Sequence, residues 1–241
     1  MADIELPSDL LNYIVQRGLQ PGDRLPTINE LQDASHLGVS ASKIREQLEV
    51  ARALGLVEVR SKIGTHIKDY SFAPAVRLSL FFALANDLHT FELFSNLRTH
   101  LEVAYWHEAC ALLTAQDMDE MRDYIMAART KLNSKWIQIP YQEHRAFHLA
   151  VFRHLQNPFV IGLLEAYWDA YEAVELHRYA EYAYLQEVWD YHERILDGIA
   201  AGDFDRAKIA FIEHTQLIRH QPRMQGMDGA TLPESPSHVA E

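Results

Sequence analysis

The spacing of apolar residues changes at Gly55, and this change limits what the first part of the chain can fold into. Before Gly55, Ile44 and Leu48 belong to an apolar stripe that repeats every three or four residues, the period of a helix with one buried face. After it, Val57 and Val59 alternate with polar residues, which is the period of a half-buried strand. A short turn then allows a second strand. The sequence therefore predicts a helix followed by a small hairpin.

Two shorter helical segments precede this helix. Residues 7–16 carry apolar side chains at helical spacing. Thr27 and Glu30 have the spacing of a capping box, which opens a second helix. Ser40 has the side chain and the position of the N-cap of the third. Three helices with a tight turn before the third, together with a hairpin, predict a winged helix-turn-helix in residues 1–69.

The remainder of the chain shows only helical patterns. We expect an all-α helical bundle in residues 70–222 and a disordered tail in residues 223–241, where Gly, Pro and Ser occur without periodicity. The expected fold class is mainly α: an N-terminal winged helix-turn-helix plus an all-α C-terminal helical bundle. The helical segments are 74–88, 91–112, 116–132, 139–155, 158–180, 182–201 and 204–220.

Charge is distributed unevenly along the chain. The formal net charge is −12, which does not favour nucleic-acid binding by the chain as a whole. Residues 36–66, however, contain 5 basic against 3 acidic side chains. Any contact with DNA is therefore expected at this locally basic stretch.

Cysteine content and hydropathy indicate the cellular compartment in which the protein is expected. The single cysteine, Cys110, excludes an internal disulfide, which suits a reducing cytoplasm. The first residues lack the pattern of a signal peptide. The most apolar run, residues 78–85, is far shorter than the roughly 20 residues that span a bilayer. We expect a cytoplasmic protein with no membrane partner.

The N-terminal motifs, taken together, resemble the GntR family of bacterial regulators. The ordered set begins with a Pro-Gly turn at residue 21 and ends with Gly-Thr at residue 64. Its members are Pro21-Gly22, Leu25-Pro26, Glu30-Leu31, Gly38-Val39-Ser40, Arg45, Leu48, Gly55-Leu56-Val57 and Gly64-Thr65. The resemblance implies a transcription regulator, a repressor or activator, that binds a double-stranded DNA operator as a homodimer.

The third helix is then the recognition helix, which enters the major groove. Short polar side chains at its start and an arginine one turn on are suited to base edges and phosphates. The candidate DNA-binding residues are Arg24, Thr27, Ser40, Ser42, Lys43, Arg45, Lys62, Gly64 and Thr65. Many relatives have arginine directly after the serine of Val-Ser, where this chain has Ala41. Their operator sequence therefore does not carry over.

Four histidines in the C-terminal part occupy inward positions of predicted helices. His144 and His148 are one helical turn apart, and His192 and His214 each lie on an apolar stripe. Imidazole nitrogens bind zinc, nickel or copper well. The alternative is a wet polar pocket that holds no metal.

The C-terminal part is similar to the ligand-binding domain of the FadR-like subfamily, called FCD. The matching pieces are Leu97-Arg98, Leu101-Glu102, Phe147-His148, Asn157, His192, Gly202-Asp203, Ala207 and His214. That resemblance implies a divalent metal held by an aspartate and three histidines, which His148, His192 and His214 match. His144 stands where the subfamily has aspartate, so the expected site has four imidazoles, for zinc or nickel.

Arg98 shares a helical stripe with Phe94 and Leu101, so we expect it to point inward. A buried arginine needs an anion. One candidate is Glu102, one turn further along the helix. The other is a small carboxylate effector, which in the resembled subfamily binds beside the metal.

Two other function classes remain open from the sequence. A constitutive DNA-binding protein would use the helical domain only for dimerisation. A metal-dependent enzyme would need an open coordination position, which four histidines on a tetrahedral ion do not leave. The chain also contains no HExxH, Gly-rich phosphate loop or GxSxG motif, so we expect no enzyme activity.

Overall fold

The structure is a computed structural model that describes residues 4–33, 37–174 and 181–217. The tail expected at residues 223–241 lies outside this range. The described residues are mainly helical and contain one small antiparallel sheet, which confirms the expected fold class. The elements are α1 Asp9–Gln16, α2 Ile28–Gln32, α3 Ala41–Ala53, β1 Val57–Arg60, β2 Gly64–Ile67, α4 Ala73–Asn86, α5 Thr90–Ala111, α6 Ala115–Leu132, α7 Tyr141–Phe152, α8 Pro158–Ala173, α9 Tyr182–Ala200 and α10 Phe204–Leu217.

The winged helix-turn-helix forms where the sequence predicts it. Ser40 caps α3 by accepting a hydrogen bond from the backbone N–H of Lys43, and the capping box of α2 is complete. Val57 of β1 pairs with Ile67 of β2 in antiparallel register. The apolar stripes of the helices meet the hairpin in one core, whose buried members are Leu10, Tyr13, Leu25, Leu31, Ile44, Ala51, Val57 and Ile67.

The chain divides into two compact units, Met1–Thr90 with Leu155–Ala170, and Phe91–His154 with Tyr171–Glu241. The first unit extends past the boundary expected at residue 69, since it includes α4 and most of α8. Phe72, at the start of α4, meets Phe159 of α8 edge to face, with ring centroids 5.3 Å apart. Sequence periodicity alone does not reveal that a helix so late in the chain packs here.

The second unit contains α5, α6, α7, α9 and α10. Trp106 of α5 stacks on Phe211 of α10, with centroids 4.7 Å apart. Gly198 allows α9 and α10 to approach closely, because a Cβ at this position would lie 2.9 Å from Cβ of Ala207. This close approach places the inward faces of α9 and α10 beside each other.

The helix bounds follow the expected segments within a few residues, with two informative differences. The helix predicted over residues 139–155 begins only at Tyr141, because Pro140, directly before it, has a non-helical backbone. The segment 158–180 is shorter: α8 ends at Ala173, and residues 175–180 lie outside the described range. Among the helices described here, none is both long enough and apolar enough to cross a membrane.

Candidate functional site

A groove of about 350 Å³ lies on the winged helix-turn-helix, between α3 and the hairpin. Five of the nine candidate DNA-binding residues line it, from three separate segments of the chain. They are Arg24, Thr27, Arg45, Gly64 and Thr65. The fold therefore joins the start of α2, the recognition helix and the wing into one surface.

The backbone conformation of the wing at this surface requires glycine at position 64. Its φ is +106°, a conformation that residues with a side chain rarely adopt. A Cβ at Gly64 would also lie 3.1 Å from Nε of Arg24. Glycine therefore lets the exposed Arg24 side chain lie against the wing.

The other four candidates have different surroundings. Ser40 is occupied as the cap of α3. Lys43 forms an ion pair with Asp9, with Nζ 2.8 Å from Oδ2, which draws its ammonium toward α1. Ser42 is exposed on α3, and Lys62 is exposed at the tip of the wing with a φ of 66°.

Arg52 lines the same groove, although it is not among the candidates. Its guanidinium pairs with Glu49, with Nη2 2.5 Å from Oε2. Glu49 lies one turn and Arg52 two turns beyond the exposed Arg45, on the same side of α3, and Glu49 neutralises Arg52.

In the second unit, three helices bring four histidines together. α7 supplies His144 and His148, α9 supplies His192, and α10 supplies His214. One ligand atom from each residue lies within 4.8 Å of those of the other three. His144 is partly exposed and the other three are buried. We call these four residues the histidine cluster.

The nitrogen spacing in the cluster suits a metal ion. The Nε2 atom of His214 lies 3.1 Å from Nε2 of His148 and 3.3 Å from Nε2 of His144, and the Nε2 atoms of His148 and His192 are 3.3 Å apart. Zinc–nitrogen bonds of 2.0–2.1 Å in a tetrahedron place the nitrogens about 3.3–3.4 Å apart. The side chains of the cluster therefore fit a transition metal.

Burial keeps these imidazoles neutral. It lowers the pKa values of His144, His148 and His214 well below the ordinary value, with smaller contributions from Arg98 and from neighbouring imidazoles. The pKa of His192 falls to about 3, again mainly through burial. Neutral imidazole is the form that binds metal.

Hydrogen bonds orient some of the rings. Nδ1 of His192 lies 2.6 Å from the backbone carbonyl oxygen of Val188, one turn earlier. Since a carbonyl only accepts, Nδ1 carries the proton and Nε2 presents its lone pair to the cluster. Nδ1 of His214 is buried without a hydrogen-bond partner among the described residues.

Arg98 and Glu102 of α5 are buried beside the cluster, at 6% and 0% exposure. Nε of Arg98 lies 2.5 Å from Oε2 of Glu102, and Nη2 lies 3.0 Å from Nδ1 of His148. Burial raises the pKa of Glu102 to about 7, although the positive charge of Arg98 acts in the opposite direction. The inward position expected for Arg98 is confirmed, and its carboxylate partner in the structure is Glu102.

Sequence reasoning missed the aromatic residues around His144. A water-sized cleft of about 20 Å³ reaches this histidine, and its walls include Tyr141, Tyr171 and Trp189. The rings of Tyr141 and Tyr171 are stacked 5.9 Å apart. The density of aromatic residues in α8 and α9 is visible in the sequence, but their meeting at His144 depends on how three helices pack.

Comparisons with known proteins agree with this architecture. Residues 5–67 match the family described as "Bacterial regulatory proteins, gntR family", and residues 94–217, more than half of the chain, match the FCD domain. The chain is 27% identical to the HTH-type transcriptional regulator LutR of Bacillus subtilis (strain 168) over 81% of this chain and 90% of that protein.

Two further similarities extend over most of the chain. It is 26% identical to the Uxu operon transcriptional regulator of Escherichia coli (strain K12), over 90% of this chain and 85% of the relative. A solved structure of a Streptococcus agalactiae GntR protein superposes with a TM-score of 0.63 at 20% identity, over 87% of this chain and 95% of the other. These relatives are transcription regulators and not enzymes. The chain therefore belongs to the gntR family of bacterial regulatory proteins, as a transcription regulator with a C-terminal FCD domain.

Proposed function

We propose that this regulator binds a double-stranded DNA operator as a homodimer, and that a small carboxylate effector controls its operator affinity. In this proposal residues 70–222 form the ligand-sensing and dimerising domain. A divalent transition metal, zinc or nickel, binds His144, His148, His192 and His214. The observation that carries the proposal is the convergence of these four imidazoles in one buried cluster.

The donor set supports a transition metal. Four imidazoles are neutral nitrogen ligands, which suit zinc and nickel better than magnesium or calcium. The short Nε2 separations in the cluster are close to those of a tetrahedral zinc site. When bound, such an ion supplies a fixed positive charge and a Lewis acid that attracts anions.

Charge balance supports an anionic effector. Where the resembled subfamily has an aspartate, this chain has the neutral His144, so the ligands do not reduce the double positive charge of the ion. The charge of Arg98 already faces the carboxyl group of Glu102, with which it forms an ion pair. A buried site that retains an uncompensated charge is costly, and an anion beside the ion lowers this cost. A carboxylate that reaches both the ion and Arg98 meets this requirement.

The groove on the winged helix-turn-helix supports the DNA interface. Arg24 and Arg45 are exposed cations that line it, and an exposed arginine can fork onto guanine or clamp a phosphate. We propose that both contact the operator, with Thr27, Gly64 and Thr65 of the same groove. The proposed contact set also includes four residues outside the groove lining, Ser40, Ser42, Lys43 and Lys62.

Exposed apolar side chains on α4 support a dimer. Leu80 and Leu84 of this helix are buried, but Leu78 is 57% and Phe82 75% exposed, and Phe81 is 36% exposed. A cluster of exposed large apolar residues is a common mark of a protein interface. We propose that a second copy of the chain covers this side of α4.

The experiment that tests the proposal combines metal analysis with a ligand screen. Protein purified without chelators is analysed for zinc and nickel. A panel of small carboxylic acids is then screened by thermal shift with and without added metal, because a ligand of the folded state raises apparent stability. Hits are tested for their effect on binding to DNA fragments selected from a random pool.

Each outcome of this experiment bears on the proposal. Metal at one ion per chain, together with a carboxylate that changes DNA affinity only when metal is present, would support it. A chain that takes up no zinc or nickel would exclude the metal. DNA affinity that no effector changes would indicate a constitutive DNA-binding protein whose helical domain only dimerises.

A further inference from the structure

The contact between Arg98 and His148 determines which nitrogen of His148 carries a proton. Nη2 of Arg98 lies 3.0 Å from Nδ1 of His148, and both residues are buried. A guanidinium has only donors. Nδ1 of His148 must therefore accept, and the neutral ring carries its proton on Nε2.

The surroundings of Nε2 agree with this tautomer. Nε2 of His148 lies 3.1 Å from Nε2 of His214 and 3.3 Å from Nε2 of His192. Because His192 donates through Nδ1 to the carbonyl of Val188, its Nε2 is an acceptor. His148 can thus donate into the cluster. In this arrangement the nitrogen that points at the centre of the cluster has no lone pair to offer a metal.

If Nε2 of His148 held a metal ion, the proton of the neutral ring would have to be on Nδ1. The Nδ1–H group would then face the N–H groups of Arg98, and two donors repel each other. The carboxylate of Glu102 lies on the same side, with Oε1 3.8 Å from Nδ1 of His148. Glu102 is fully buried, and when ionised its carboxylate only accepts hydrogen bonds.

We infer that Glu102 is the positioning residue for the metal ligand His148: on metal binding, Nδ1–H of His148 donates to Glu102, and Nη2 of Arg98 leaves His148. This inference rests on the proposed metal site. The proton is exchanged between the two nitrogens of one imidazole, so His148 neither gains nor loses charge. A carboxylate that accepts from a metal-binding histidine fixes the ring orientation and raises the basicity of the ligand.

The move of the His148 proton connects metal binding to effector binding through Arg98. When Nδ1 of His148 accepts, it engages Nη2 of Arg98, 3.0 Å away. With metal, this donor turns away from His148 and can receive the carboxylate of an effector, while Nε of Arg98 keeps its ion pair with Glu102. We therefore expect the carboxylate to bind more tightly to the metal-loaded protein.

The test uses zinc alone as the probe, on the full chain. Zinc affinity is measured by competition with a chromogenic chelator for the wild type, Glu102→Gln and Asp117→Asn. Asp117 is a matched control, because it is also a buried carboxylate that contacts a histidine, His154, with Oδ2 2.9 Å from Nε2. Circular dichroism checks that each variant folds.

We expect Glu102→Gln to lower zinc affinity about 10- to 100-fold, the usual effect of losing such a partner. Asp117→Asn should remain within about threefold of the wild type, since Asp117 contacts none of the four ligands. Equal zinc affinity for the wild type and Glu102→Gln would overturn the inference and leave the metal site standing. No zinc binding by the wild type would remove the metal site and the inference together.

A second measurement reads the tautomer directly. In protein labelled with ¹⁵N-histidine, long-range proton–nitrogen spectra show which ring nitrogen is protonated, and His148→Gln identifies the signals of His148. We expect protonation at Nε2 without zinc and at Nδ1 with zinc. Protonation at Nδ1 in both states would overturn the exchange even if Glu102→Gln weakens zinc binding. This measurement distinguishes a move of the His148 proton from Nε2 to Nδ1 from the alternative, in which Glu102→Gln weakens zinc binding only because it removes a negative charge.

Discussion

The Nε2 atoms of His144 and His214 lie 3.3 Å apart, although 70 residues separate them in the chain. His144 is the partly exposed member of the cluster, and His214 is buried at its centre, within 3.1 Å of His148. The residue at position 144 therefore forms the accessible side of the candidate metal site.

His144→Asp tests whether this position is a ligand. We expect metal binding to persist, with the preference for zinc over manganese reduced, because a carboxylate oxygen suits harder ions and lowers the net charge of the site. Competition between the two ions, followed by metal analysis, measures the change. His100→Asp, at an exposed position of α5, is the control. An unchanged preference in His144→Asp would mean that position 144 does not contact the ion.

His192→Ala should lower metal content and abolish the response to effector, because it removes a ligand that is held in place by the carbonyl of Val188. DNA affinity in the absence of effector should stay near that of the wild type, since the cluster lies in the second compact unit and the groove in the first. Metal analysis and fluorescence anisotropy with labelled DNA measure both. Full metal content in this variant would contradict the proposed ligand set.

Arg45→Ala should weaken specific DNA binding by about 1–3 kcal/mol, the usual value of a bidentate base contact. Arg52→Ala should have a smaller effect, because Glu49 already neutralises Arg52. Anisotropy titrations on a selected fragment and on random DNA separate two roles. A similar loss on both, with a reduced salt slope, would assign Arg45 to phosphate. No loss on either would remove it from the interface.

Adding zinc to metal-free protein should raise the melting temperature. At a free concentration of 100 times Kd, a ligand of the folded state adds about 2.7 kcal/mol. For a chain of this size that corresponds to roughly 5–10 °C. Differential scanning calorimetry measures the shift, and His192→Ala should show little of it. An equal shift in His192→Ala would place the zinc elsewhere on the protein.

The chain should be dimeric at micromolar concentration without DNA, as analytical ultracentrifugation can show. Phe82→Asp should shift the equilibrium toward monomer, because it places a charge on the exposed apolar side of α4. Trp136→Asp is the control: Trp136 is 78% exposed, as prominent as Phe82, but lies in the loop between α6 and α7. Monomeric wild type would exclude the proposed dimer, and equal loss of dimer in both variants would exclude α4 as its specific interface.

Local signals in the sequence were sufficient for the winged helix-turn-helix. The capping box of Thr27 and Glu30 and the change of period at Gly55 act over a few residues, so they determine where helices and strands begin and end. The inward orientation of His192 and His214 was also predictable, because a helical residue on an apolar stripe faces the core.

The sequence by itself determined the types of the elements, the inward faces of the helices and the chemical identity of the four imidazoles. Only the tertiary structure decided that these imidazoles meet within hydrogen-bonding distance, that α8 packs in the first unit, and that Arg98 spans Glu102 and His148. The physical reason is the separation along the chain over which each interaction acts. Capping and periodicity depend on residues a few positions apart. The packing of α7, α9 and α10 depends on contacts between different helices, such as Gly198 against Ala207 and Trp106 against Phe211.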